Sequence, residues 1–200
     1  LHSLRMDNEA KRYEMDDKRP RFQAIADRHT NGTAPRPVIA HQLFQTPSGL
    51  AAELVKHVTP RAAVLEPSAG LGRLLDQLPP SCQTVAVEMA APCAGELFRQ
   101  DRAGVTIKQR DFLTCSPDEL GQFDFVVMNP PFTMRSDIKH ILHALQFLKT
   151  GGILSALCLD TFHRENALKP LAFEWQKIPA GAFKLEGTAV AVVMLSIRKP

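Results

Sequence analysis

Short, continuous apolar runs recur along the chain, each of strand length and each bounded by polar or turn-forming residues. Ala63-Val64-Leu65, Val85-Ala86-Val87, Phe125-Val126-Val127-Met128 and residues 153–159 lack the alternation of a half-exposed strand. Continuous runs of this length are what strands covered on both faces of a parallel sheet require. Val105-Thr106-Ile107 adds a further strand between the second and third of these runs. Between the strands the period changes. Ile138, Ile141, Leu142, Leu145 and Leu148 fall on one helical stripe, which predicts a core-facing helix. Residues 70–75 read as a glycine loop entering a helix, and residues 161–176 as a loop and a helix. Thr46-Pro47-Ser48 offers an N-cap and a first-turn proline for a helix running to about residue 57. Strand and helix alternate without internal repeat, so the expected fold is α/β with a doubly wound, mostly parallel sheet. Residues 1–40 read as an N-terminal arm with mixed charges and few large apolar side chains, followed by a linker over residues 29–38 that holds Asn31-Gly32 and two prolines, and residues 41–200 read as the folded domain.

Composition narrows the classes of function. Two hundred residues with 44% hydrophobic content suit one domain with one core. The longest apolar stretches, residues 153–159 and 189–195, are far too short to span a bilayer, and no charged, apolar, small-residue leader opens the chain. No membrane partner and a cytoplasmic setting are therefore expected. Cys82, Cys93, Cys115 and Cys158 form no CxxC pair and read as reduced thiols. His140 and His143 lie at i and i+3 without an HExxH pattern, so no metal site is expected. A formal charge of +3 and a pI of 8.8 permit a nucleic-acid partner without demanding one.

The candidate chemistry lies at the strand ends. Asn129-Pro130-Pro131-Phe132 follows an apolar strand directly and combines an amide acceptor, a rigid turn and an aromatic ring. The prolines fix φ and remove two N–H donors, which leaves carbonyls pre-aimed at a ligand. An amine conjugated into an aromatic ring is a poor nucleophile, and hydrogen bonds from its N–H groups to Asn129 and a prolyl carbonyl return electron density to nitrogen. Upstream, Glu66-Pro67-Ser68-Ala69-Gly70-Leu71-Gly72 joins a strand to the next element through a loop whose glycines allow close backbone approach. It has neither the third glycine of a dinucleotide fingerprint nor the Lys-Ser/Thr of a phosphate loop. Glu66, Glu88 and Asp111 each close a strand-like segment with an acid, and together with Asn129 they point to one shared site. Glu88 has the spacing of an acid that binds ribose hydroxyls.

On these residues the chain resembles class I S-adenosylmethionine-dependent methyltransferases of the N6-adenine type, with motifs in the gamma order. Phe44-Gln45-Thr46-Pro47 resembles the motif preceding the first strand, residues 65–72 the cofactor loop, Glu88-Met89 the ribose acid and its neighbour, Asp111-Phe112 the adenine-edge pair, and Asn129 to Phe132 the catalytic motif. The resemblance covers about residues 41–197. It implies a seven-stranded Rossmann-like sheet closed by an antiparallel hairpin, assigned to residues 182–186 and 188–197. It also implies S-adenosyl-L-methionine as cofactor, held by Phe44, Thr46, Pro47, Glu66, Ser68, Gly70, Gly72, Glu88, Met89, Asp111, Phe112 and Asn129. Asn129, Pro130, Pro131 and Phe132 would then be catalytic, with Phe132 stacking on the target base.

The implied reaction is direct transfer of a methyl group to adenine N6 of DNA. RNA adenine, a protein glutamine amide, and a non-catalytic subunit that keeps the fold are the alternatives. Arg135, Lys139 and Lys149, opposed only by Asp137 between residues 133 and 150, form either a solvated face or a phosphate contact, and Phe162 could stack on an extruded base. The gamma-ordered DNA enzymes usually carry a target-recognition domain after the catalytic sheet, and this chain ends without one. If the sequence is the complete protein, recognition is expected to fall to the N-terminal arm, a partner subunit, or a structured or single-stranded target.

Overall fold

The computed structural model describes residues 45–181 and 190–200. Its elements in chain order are α1 (Ser48–Leu54), β1 (Ala63–Glu66), β2 (Gln83–Glu88), α2 (Ala91–Gln100), β3 (Val105–Gln109), α3 (Pro117–Leu120), β4 (Phe123–Met128), α4 (Ser136–Ala144), β5 (Leu148–Leu159), α5 (Phe162–Leu168), β6 (Ala172–Ile178) and β7 (Val192–Arg198). Seven strands form one sheet in the order β3-β2-β1-β4-β5-β7-β6. All neighbours are parallel except β7, which runs antiparallel to both β5 and β6. From β1 the chain winds outward to β2 and β3, then returns to build β4 and β5 on the other side. A crevice must open where the winding reverses, outside the carboxyl ends of β1 and β4.

Consecutive residues of the central strands feed opposite faces of the sheet, which is why their apolar runs are continuous. Leu65, Val126 and Ala156 enter a core with Phe112, Ile141 and Phe147, whereas Val64, Val127 and Leu157 enter a second core with Ala51, Leu54 and Met194. The register brings Leu65 beside Val85 on one side and Val126 on the other.

Several local expectations give way to tertiary demands. The glycine loop leads only to a single 3-10 turn, Leu75–Gln77, because Leu78 is extended ahead of Pro79-Pro80 and leaves no room for a helix. Residues 172–176, read as helix, belong to strand β6. Pro170 stops α5 at Leu168, and Phe173 and Trp175 suit a pleated surface. The closing hairpin is therefore β6 with β7; residues 182–186, expected as its first strand, lie outside the described residues. Helix α1 ends at Leu54, and Pro47 itself occupies the N-cap position without a side-chain cap bond. Gly151 and Gly152 sit inside β5, in an irregularity where Phe123 pairs with Leu148 and Phe125 with Ile153. A Cβ on Gly152 would come within 2.9 Å of the Lys149 carbonyl and 3.0 Å of the Asp124 carbonyl, so only glycine fits there without movement. The buried face of α4 is Asp137, His140, Ile141 and Ala144; Leu142 is exposed and Leu148 already belongs to β5.

A latch joins the far end of the sheet to the segment after α1. His57 Nε2 and Ser196 Oγ donate to Glu174 Oε2 at 2.8 and 2.9 Å, and Lys56 Nζ lies 3.3 Å from Oε1. The hydrogen bond from His57 leads the effects that hold the Glu174 carboxyl down at about 2. A carboxylate depressed by folding stabilises above its unfolded value, about 4.3, and loses that contribution as pH falls toward its folded value. Urea unfolding between pH 5 and pH 2.5 should show this loss, and Glu174→Gln should flatten part of the slope. A variant with the full slope would remove Glu174 as its source.

Candidate cofactor and acceptor site

The crevice predicted by the winding is a cavity of about 380 Å3 at the carboxyl ends of β1, β2 and β4 and in the loop after β3. A volume of that size is within the range of small-molecule sites. One wall is the loop after β1. Ala69 donates its N–H to the Val87 carbonyl at 3.0 Å, and Gly70 adopts a φ of 55°, a left-handed conformation favoured by glycine. Glu88 fixes this loop from the end of β2. Its Oε2 accepts from the Gly70 N–H at 2.8 Å and its Oε1 from the Ala90 N–H at 2.6 Å. Each carboxylate oxygen retains acceptor capacity beyond those bonds.

Glu66 closes β1 and is 1% exposed, and its Oε2 has no hydrogen-bond partner among the described residues. Burial pushes its pKa well above the ordinary carboxylate value; Arg102 pulls in the opposite direction, and Asp76 and Glu88 push further upward. A buried, unmatched carboxyl oxygen on a cavity wall is a ready partner for an ammonium or hydroxyl group. Beyond β3, Asp111 accepts from the Leu113 N–H at 3.0 Å, capping the 3-10 turn Phe112–Thr114. The Phe112 ring is buried against His143 and Phe147, with centroids 4.9 and 5.1 Å away. His140 Nδ1 donates to the Ser136 carbonyl at 2.8 Å, and burial lowers its pKa, so it presents a neutral imidazole.

At the end of β4, Asn129 Nδ2 donates to Thr46 Oγ1 at 3.0 Å. Thr46 is thus committed to the asparagine rather than to capping α1, contrary to the expectation from Thr46-Pro47-Ser48. Its neighbour Gln45 accepts from Arg73 Nε at 2.6 Å, joining the segment before α1 to the loop after β1.

Of the residues singled out from the sequence, Thr46, Glu66, Ser68, Gly70, Glu88, Met89, Asp111, Phe112, Asn129 and Pro131 line this one cavity. Pro47, Gly72, Pro130 and Phe132 do not. A Cβ on Gly72 would meet Leu97 Cδ2 at 3.0 Å, so this glycine serves the packing of α2 under the loop. Phe132 is buried in the second core, with Leu54, Val127, Leu157 and Met194 in the same cluster. Phe44 lies outside the described residues. Arg135, Lys139 and Phe162 are exposed and outside the cavity lining. Asp137 does not oppose the basic residues on the surface as expected: it is fully buried and paired with Arg164.

The lining also includes Gln45, Arg73, Cys93, Ser136 and His140, which the sequence pattern did not assign to the site. Gln45 lies within the Phe44-Gln45-Thr46-Pro47 motif and was legible there. His140 carried a weaker signal, one helical turn beyond Ser136 on the polar-bearing side of the α4 stripe. All four cysteines are free and buried, and burial pushes the Cys93 and Cys158 thiols up to about 11 and about 12. Among the described residues no group of three or more His, Cys, Asp or Glu could hold a metal ion, and no helix is long and apolar enough to cross a membrane.

No family model matches the chain, and no curated protein matches its sequence. Solved structures do match. TrmN from Thermus thermophilus superposes with a TM-score of 0.60 at 18% identity, over 76% of this chain and 49% of TrmN. The N-methyltransferase NodS from Bradyrhizobium japonicum WM9, solved with S-adenosyl-L-homocysteine, gives a TM-score of 0.61 at 15% identity over 76% of this chain and 85% of NodS. The 23S rRNA methyltransferase ErmE gives 0.60 at 19% identity over 78% and 70%. This chain spans about half the length of TrmN. These likenesses establish the fold, a seven-stranded α/β sheet of the Rossmann-like methyltransferase kind.

Proposed function

We propose that the chain is an S-adenosylmethionine-dependent methyltransferase that acts on adenine N6 in nucleic acid, with DNA the first acceptor to try. The observation that carries this reading is the meeting of Asn129 with Glu66, Gly70, Glu88 and Asp111 around one cavity. The residues fit the cofactor. Glu66 offers a buried carboxyl oxygen for its ammonium, Gly70 a bare backbone for its chain, and Glu88 a latched carboxylate for its ribose hydroxyls. Asp111 and Phe112 would edge its adenine. When bound, S-adenosylmethionine supplies an electrophilic methyl group on a sulfonium.

The chain's own contribution is to orient the acceptor. With Nδ2 given to Thr46, Asn129 Oδ1 is the oxygen this side chain presents to a substrate N–H. Accepting from the amine makes its nitrogen more nucleophilic, and a prolyl carbonyl of the turn would reinforce this, Pro131 being the proline that lines the cavity. The proton that nitrogen loses after transfer passes to water. The amine must leave a base pair, or already be unpaired, to reach this pocket. Burial of Phe132 in the second core leaves stacking on the base to another group or to a rearrangement of the loop.

Replacing adenine by purine, which lacks the amine, should abolish methyl incorporation into an otherwise active oligonucleotide. Retained incorporation would reject adenine N6 as the target. RNA is the second reading, in keeping with ErmE, a 23S rRNA methyltransferase.

Glu66 supplies a separate expectation. An ammonium brought to it favours the ionised carboxylate, so cofactor binding should release a proton when Glu66 starts protonated. Affinity should therefore rise with pH through the raised Glu66 titration and level above it. Calorimetry of S-adenosylhomocysteine binding in buffers of different ionisation enthalpy would detect the proton. Equal release from wild type and Glu66→Gln would assign it elsewhere.

A further inference from the structure

Arg164 and Asp137 form a buried clamp that the proposed chemistry has not used. Arg164 is 7% exposed and Asp137 is 0% exposed. The guanidinium meets the carboxylate in a two-pronged arrangement: Nη2 donates to Oδ1 and Nε to Oδ2, each at 3.0 Å. The same Nη2 donates to the Phe132 carbonyl at 3.1 Å. Nη1 lies 3.5 Å from Thr161 Oγ1, and Asp137 Oδ2 accepts the Leu159 N–H at 3.2 Å. Four segments therefore converge on one ion pair: the turn after β4, the first turn of α4, the end of β5 and the start of α5.

Burying two charges is a poor way to gain stability, since apolar groups of similar volume often serve as well. What the pair provides is direction. A planar guanidinium can hold a carboxylate along one edge and a carbonyl with a remaining N–H, and lysine cannot reproduce that fork. The anchored carbonyl belongs to the last residue of Asn129-Pro130-Pro131-Phe132. Two prolines with restricted φ make the segment stiff, so fixing the Phe132 peptide restricts Asn129 at the other end. Immediately downstream, Met134 and Arg135 have φ of 47° and 59°, a left-handed pair of non-glycine residues. Such a conformation costs energy and persists only where neighbouring contacts enforce it.

We infer that Arg164, held by Asp137, is a positioning residue that sets the Asn-Pro-Pro-Phe turn for methyl transfer. The inference rests on the proposed function for its catalytic consequence, but the positioning itself is measurable without turnover. Arg164→Met combined with Asp137→Asn removes both charges and keeps an amide oxygen for the Leu159 N–H. Arg164→Lys keeps the charge and loses the fork.

In both proteins the NMR resonances of the Asn129 side-chain amide, assigned through Asn129→Ala, should shift or broaden, while the Gly70 amide stays in place. Affinity for S-adenosylhomocysteine should stay within about twofold and kcat should fall about tenfold or more, Arg164→Lys less than the double variant. Unmoved Asn129 resonances, with kcat also within twofold of wild type, would overturn the inference. So would equal disturbance of Gly70 and Asn129 in Arg164→Lys, which would indicate general structural loss. If wild type methylates no acceptor, the proposed function fails, and the Asn129 resonances alone then decide the clamp.

Discussion

Asn129→Ala should lower kcat by about 10²–10³-fold while leaving affinity for S-adenosylhomocysteine within a few fold of wild type. The range is that of removing one preorganised polar group aimed at developing charge. In this site the amide is already in place before the acceptor arrives, because Thr46 Oγ1 holds its Nδ2 at 3.0 Å and the Pro-Pro segment limits the backbone. Alanine removes the acceptor for the amine but leaves Glu66, Gly70, Glu88 and Asp111 as they are. The defect should therefore concentrate in kcat. Calorimetry and single-turnover kinetics separate the two quantities, and a parallel collapse of both would place Asn129 in the cofactor site instead. Thr46→Val is a milder companion. It frees the amide to rotate, so a smaller loss of kcat is expected in a steady-state assay.

Glu88→Ala should act on the other half of the site and weaken S-adenosylhomocysteine binding by about 10²-fold or more. Two backbone amides, Gly70 and Ala90, donate to its carboxylate. Hydrogen bonds to a charged group contribute about 1.5–3 kcal/mol each, and about 1.4 kcal/mol is tenfold in affinity. Loss of the latch alone would loosen the Gly70 loop; loss of the contact to ribose hydroxyls adds to it. Glu88→Gln keeps one acceptor oxygen and should fall between alanine and wild type. Calorimetry on both variants checks the order, and an unchanged affinity in Glu88→Ala would remove this residue from the cofactor site.

The parallel strands were legible because their apolar runs are short, continuous and bounded by turns, and the acids at their ends were legible by position. Elements whose form depends on distant partners were not. Residues 172–176 carry no alternation strong enough to announce β6, which exists because β7 supplies its ladder. The run after Gly72 has helix-forming residues, yet the Pro79-Pro80 pair and the short path to β2 leave only a 3-10 turn. Asp137 resembled one more surface charge, since nothing local reveals that an arginine 27 residues later is buried against it. The same limit applies to Phe132. Its place in the motif suggested stacking on a base, whereas its packing depends on β5 and β7 side chains far along the chain.

The most direct test of the shared site is incubation of the chain with isotopically labelled S-adenosylmethionine and a panel of single-stranded and duplex DNA, RNA and protein acceptors, followed by mass spectrometry of the modified residue. The expected result is label on adenine N6 of a nucleic acid, lost with Asn129→Ala. Label on a glutamine amide, or no label on any acceptor despite tight S-adenosylhomocysteine binding, would contradict it.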